Sequence, residues 1–180
     1  MRLEALTNDH LERLYKPIGE IVVQWGLIDV TLHYLAFAMF KTMDTTPTMQ
    51  RWPRMFGYRL EKVEGLFKTR EEFAALKSEA RNLVKRIRHL QELRDMIVHG
   101  AAVRYATNKD AVLFERIDHA TAKQLRRSPS ISHMKNKMLV RFDQLVVASQ
   151  DCTAVATAMM ALRQAVIDSR TTNEAAPITI

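Results

Sequence analysis

Apolar residues recur at spacings of three and four through most of this chain, the period of helices with one buried face. Thr7 or Asn8 can cap a first helix that places Leu11, Leu14 and Tyr15 on one side. Pro17 then predicts a break, a kink or the opening turn of the next helix. From Ile18 to about Lys41 the row Ile21, Trp25, Ile28, Leu32, Leu35 and Met39 predicts a buried helix. Thr45 to Thr48 reads as a loop around Pro47. Arg51 to Phe67 reads as one or two short helices broken near Pro53 and Gly57. Thr69 with Glu72 three residues on makes a capping-box pattern. A long helix from Arg70 to His99 follows, with Phe73, Leu76, Ala80, Leu83, Ile87, Leu90, Leu93 and Ile97 as its apolar stripe and Gly100 as its stop.

The period changes to two after Gly100. Val103 and Tyr105, the turn residues Thr107 to Asp110, and Val112 to Phe114 predict a β-hairpin. His119 to Arg127 predicts a short helix and Ser128 to Ser130 a loop. A final long helix is predicted from about Lys135 to Ser169, with 170–180 a frayed tail. The expected fold is all-α: one domain over residues 1–180, a bundle of four to five main helices with a small β-hairpin insert.

Composition agrees with helix. Hydrophobic residues make up 47% of the 180, enough for a core, and there are only five glycines and five prolines. The single cysteine, Cys152, rules out an internal disulfide framework and lies in an apolar helical pattern, as a core residue does. No run of about 20 uncharged apolar residues predicts a membrane span. The first 16 residues lack the continuous apolar core of a signal peptide, so a reducing cytoplasm is the expected compartment. No histidine or cysteine pair has metal-ligand spacing and no glycine-rich loop could cradle a phosphate, so no cofactor is expected. Twenty-seven Lys and Arg against 20 Asp and Glu give a net charge of +7, which suits an anionic partner such as nucleic acid.

The chemistry concentrates in Arg94-Asp95-Met96-Ile97-Val98-His99-Gly100. Arginine can fork onto a phosphate, and histidine can move a proton near neutral pH. On a wheel of about 100° per residue, Asp95 and His99 share a face at i, i+4 spacing, and Asp95 can orient the imidazole. Arg94 falls on the side of the apolar stripe. Arg94 and His99 therefore converge only by distortion at the Gly100 end or across a two-fold axis. The plain structural alternative is a snorkelling Arg94, a surface Asp95 and a His99 favoured by the negative helix end.

Arg81, Lys85, Arg86, Arg88 and His89 make the same helix basic. They form either an approach surface for phosphates or a solvated face paired to Glu79 and Glu92. Lys123, Arg126, Arg127, Lys135, Lys137 and Arg141, with nearby serines, form a second basic stretch. His33, and Trp52 and Tyr58 among arginines, read more readily as packing than as chemistry or base stacking.

Arg94, four intervening residues and His99, ending a long helix of an all-α bundle, resemble the R-x4-6-H motif of HEPN domains. The resemblance spans about residues 15–168, with only the motif specific. It implies metal-independent cleavage of RNA, usually by dimers whose two motifs form one cleft. Many such proteins are toxins or defence proteins, some held by a cognate antitoxin, and others are inactive binding modules. Carried over, Arg94 would hold the scissile phosphate, His99 would act as general base or acid on the ribose 2′-OH or the leaving oxygen, and Asp95 would orient His99. A 2′,3′-cyclic phosphate would result, and DNA would resist.

Overall fold

The computed structural model describes residues 2–40, 53–116 and 136–174. They are mostly helical: α1 spans Asn8–Phe40, α2 Phe56–Thr69, α3 Lys77–His99 and α4 Phe142–Glu174. Four strands, β1 (Leu3–Glu4), β2 (Ala101–Ala106), β3 (Ala111–Arg116) and β4 (Asn136–Arg141), form an antiparallel sheet in sequence order. The chain divides into two compact units. The first holds Met1–Val23 and His89–Cys152, the second Gln24–Arg88 and Thr153–Ile180.

Helix α1 opens with a reciprocal cap. The Thr7 hydroxyl accepts the His10 N–H at 3.4 Å, while His10 Nδ1 accepts the Thr7 N–H at 3.1 Å. His10 thus fills the role of the third-position Glu of a capping box. The helix continues through Pro17, which is buried, instead of breaking there. Burial of Leu14 and Ile21 on the flanking turns offsets the hydrogen bond that the proline ring removes. The break predicted near Pro53 and Gly57 falls at 53–55, which are not helical, and α2 starts at Phe56 with Gly57 in its first turn.

Thr69 ends α2 and does not cap the next helix. Its hydroxyl donates back to the Gly65 carbonyl at 3.0 Å, and Glu72 takes the Arg70 guanidinium at 2.9 Å. Arg70 is extended, a 3-10 segment covers Glu71–Leu76, and α3 starts only at Lys77. Phe73 is the cause: it is fully buried with its ring 5.8 Å from that of Phe67, and its backbone leaves helical geometry to reach that position. Tertiary burial here outweighs a favourable local cap. Ala80, Leu83, Ile87, Leu90 and Ile97 of the stripe are then buried as its period requires, with Leu93 partly exposed.

The first unit carries the sheet. Its core draws Val112, Phe114, Val140 and Leu145 below a tenth exposure, with Cys152 at 1%. Burial pushes the Cys152 thiol up to about 11, so it is an inert apolar side chain. The final helix begins at Phe142, because residues 136–141 pair with β3 from Ala111↔Arg141 to Arg116↔Asn136. Gln144 accepts the Arg141 N–H at 3.0 Å and sets that start. The hairpin tip is pinned by Asp110, a left-handed residue whose carboxylate takes both Arg13 Nη1 at 2.9 Å and Nη2 at 2.6 Å, with the Tyr105 hydroxyl at 3.0 Å. Arg13 also lies 3.8 Å over the Phe142 ring. The second unit buries Trp25, Ile28, Leu32, Leu60, Phe67, Phe73, Leu83, Ile87, Met159 and Leu162.

Helices α1 and α4 reach, by length and composition alone, the measure of a membrane span. Of those apolar windows 39% and 44% are buried within the protein. The short helix over 119–127 and the loops at 45–48 and 128–130 lie outside the described residues, as do residues 175–180 of the predicted tail, whereas residues 170–174 of that tail continue α4.

Candidate functional site

The heptapeptide occupies the last two turns of α3 and the one-residue passage into β2. Gly100 is required there by a close approach. A Cβ would sit 2.3 Å from the Met96 carbonyl oxygen and 3.2 Å from that of Glu115. No glycine among the described residues has positive φ, so Gly100 ends the helix through lack of volume and not through a left-handed turn. The absence of a side chain lets the helix end drop directly into the sheet, and the Ala101↔Glu115 pair follows at once.

This turn brings Arg94 and His99 together within one chain. Arg94 Nη1 lies 3.4 Å from His99 Nε2 and donates to Asp95 Oδ1 at 2.8 Å. A guanidinium can only donate, so in this contact the imidazole presents its Nε2 lone pair. The wheel placed Arg94 apart because it treats a side chain as a short radial vector. The three-carbon stem of arginine instead curls around the helix end. Met96 and Ile97 are buried, Arg94 and Asp95 are about one quarter to one third exposed, and His99 is exposed. The apolar positions thus anchor the turn and leave the polar ones at the surface.

Asp95 does not make the expected bond to His99. Its carboxylate is taken by Arg94, the nearer and permanently charged donor. Asp95 therefore holds Arg94, and any effect on His99 passes through that guanidinium.

The basic residues divide. Arg81, Lys85 and Arg88 are exposed on the part of α3 that belongs to the second unit. Arg88 pairs with Glu64 of α2 at 2.6 Å and not with an acid of its own helix. Lys68 meets the same carboxylate at 2.7 Å, and the two cations, Lys68 foremost, hold Glu64 below the usual carboxylate range. Glu64, Lys68, Lys77 and Arg81, with Phe67 and Ala80, line an open cavity of about 600 Å³, so its cations share the cavity with a carboxylate. A cavity of about 400 Å³ in the first unit has the opposite rim, with Glu92, Asp143 and Asp151 over Leu90, Leu93 and Val147. Lys123, Arg126 and Arg127 lie outside the described residues.

Arg116 adds a cation that the periodicity did not single out. It ends β3 one residue past the Ala101↔Glu115 pair, level with the Gly100 turn. Its Nε is buried and has no hydrogen-bond acceptor among the described residues. Counting the predicted hairpin outward from its turn would have placed Arg116 there. Among the described residues, no three His, Cys, Asp or Glu gather as metal ligands would. Comparison with protein-family models, curated proteins and solved structures finds no match to this chain.

Proposed function

We propose that the chain is a metal-independent endoribonuclease of HEPN type, a bundle with a sheet insert after the motif helix, acting as a homodimer. The observation that carries this reading is the 3.4 Å approach of Arg94 to His99 at an exposed helix end. His99 Nε2 takes the proton of a ribose 2′-OH. The 2′ oxygen bonds to phosphorus, the bond to the 5′ oxygen breaks, and a second copy of the motif protonates the leaving oxygen. Arg94 stabilises the added charge on the phosphoryl oxygens, with Arg116 as a further cation at the same turn. The +7 charge and exposed Arg81, Lys85 and Arg88 favour approach of the RNA backbone, with Lys123, Arg126 and Arg127 proposed to extend it. A toxin or defence role, with a cognate antitoxin and a cytoplasmic setting, belongs to the same proposal.

Purified protein is incubated with single-stranded RNA in EDTA beside His99→Ala and Arg94→Ala. Cleavage to 2′,3′-cyclic ends by the parent, with losses of about 10²–10⁴-fold in the variants, is expected. Equal activity in all three, or none in the parent, overturns the proposal. A second reading, a non-catalytic RNA- or protein-binding module, draws support from the Arg94–Asp95 ion pair, which already neutralises the phosphate-binding cation. RNA binding that His99→Ala leaves intact, without cleavage, selects it.

A further inference from the structure

One imidazole holds the join between strand β1 and helix α1. His10 Nδ1 accepts the Thr7 N–H at 3.1 Å and lies 3.0 Å from the Thr7 hydroxyl. A backbone amide can only donate, so Nδ1 presents its lone pair and the ring is neutral, with its proton on Nε2. A glutamine at this position of a capping box would accept at every pH, whereas an imidazole accepts only while it is unprotonated. We propose that this contact is a proton-operated latch: in mild acid, protonation of His10 releases Thr7 and, with it, strand β1 from the edge of the sheet.

The added proton sets two N–H donors against each other at 3.1 Å, and only the Thr7 hydroxyl can turn to accept. The new charge also stands in the first turn of a 33-residue helix, where the positive end of the helix dipole opposes it. The charged groups around the ring do not reverse this. On α1, Asp9 points about 100° away round the helix, and Arg13 repels a second cation one turn on. From the hairpin, the field of Asp110 reaches the ring. Its carboxylate is already held by Arg13 at 2.9 and 2.6 Å and by the Tyr105 hydroxyl at 3.0 Å. On β1, Glu4 is paired with Arg2 at 2.9 Å. The Tyr105 ring, stacked 3.8 Å from the imidazole, attracts a solvated cation only weakly.

Little else ties the strand down. Strand β1 is two residues long and makes two pairs with β2, Leu3↔Ala106 and Glu4↔Tyr105. Tyr105 thus carries both the end of the strand and the His10 ring, so ring and strand lean on one residue. The sheet order β1-β2-β3-β4 makes β1 the cover of one edge. With the latch open, β2 becomes the outer strand and the backbone groups it had turned to β1 face solvent. Thr7 is exposed, so protons from solvent reach the contact directly. The open state is the one that takes the proton. The latch is therefore shut above the range of a free imidazole, about pH 6.5, and opens by up to about tenfold for each pH unit below it.

The latch takes nothing from the catalytic reading, and its test uses no RNA. Amide hydrogen exchange of the whole chain is compared at about pH 7.5 and about pH 5.5, on either side of the imidazole range. Rates are expressed as protection factors, which removes the chemical pH dependence of exchange. In the parent, protection of the Thr7 amide and of β1 should fall about tenfold in acid, while the Leu145 amide in the core of α4 keeps its protection. His10→Gln, checked for parental circular dichroism, keeps an acceptor without a titration and should protect Thr7 equally at both pH values. The ring nitrogen resonances of His10 in the parent give a second reading that needs no variant. At about pH 7.5 they should show a bare Nδ1 and a protonated Nε2. A proton on Nδ1 there, unchanged protection of Thr7 in the parent, or the same acid loss in His10→Gln overturns the latch.

Discussion

Arg94 touches Asp95 and His99 at once, and the two contacts oppose each other. The guanidinium presented to His99 is the group a phosphate would need, yet its Nη1 is engaged by a carboxylate at 2.8 Å. A phosphate oxygen arriving there must compete with Asp95. Asp95→Asn keeps the shape and removes the charge, so it should lower KM for RNA while reducing kcat by about tenfold, as Arg94 loses its fixed position. Michaelis analysis of the variant measures the split, and a change in neither quantity would show Asp95 to be inert. A simultaneous view of both contacts was beyond a helical wheel, which has no term for side-chain length. The heptapeptide stood out in the sequence because a cation, a carboxylate and an imidazole fall within six residues at the end of an apolar stripe.

At the scale of elements, Gly100 decides where α3 stops. Gly100→Ala must push the Met96 carbonyl or the helix end aside, since backbone cannot yield as a flexible side chain does. The expected loss is about 1–3 kcal/mol, or roughly 2–4 °C in Tm per kcal/mol for a chain of this size. A thermal melt equal to the parent's would show that the turn relaxes freely. The N-terminal cap is a second device. Thr7→Ala removes the hydroxyl that accepts the His10 N–H and should destabilise by about 1 kcal/mol, read from urea unfolding. Long periodic helices were legible in the sequence, and short or competing elements were not. The two residues of β1 hold no period at all. Residues 136–141 carry Met138, Leu139 and Val140, compatible with either helix or strand, and only the partner strand β3 settles the matter. Thr69 and Glu72 met a local cap rule that burial of Phe73 overrode.

For the whole molecule, two carboxylates make stability depend on acid. Asp110 is held below the usual range chiefly by its hydrogen bond from Arg13, and Glu64 by Lys68 and then Arg88. Depressed carboxylate pKa values mean that the unfolded chain binds these protons more tightly. Their contribution is present in full above the unfolded values, about pH 4, and fades as pH falls through the lower folded ones. Melting midpoints should therefore drop below about pH 4. Asp110→Asn, which tolerates the left-handed backbone, should show a shallower drop than the parent. An identical acid profile in this variant would remove Asp110 from the account. These links are invisible in the sequence, since Arg13 and Asp110 stand 97 residues apart.

The lone thiol at position 152 gives the chain a clock of its own. At 1% exposure and with a thiol raised to about 11, Cys152 cannot meet an aromatic disulfide reagent while the core around it is closed. Colour released by that reagent then times each opening of the protein, one event per molecule, with no label to attach and no residue to change. Strengthening the surroundings of Cys152 should slow the clock, and damage to the turn at Gly100 should quicken it. One cysteine, unused by any chemistry of the chain, thereby reports how often the native state lets water in.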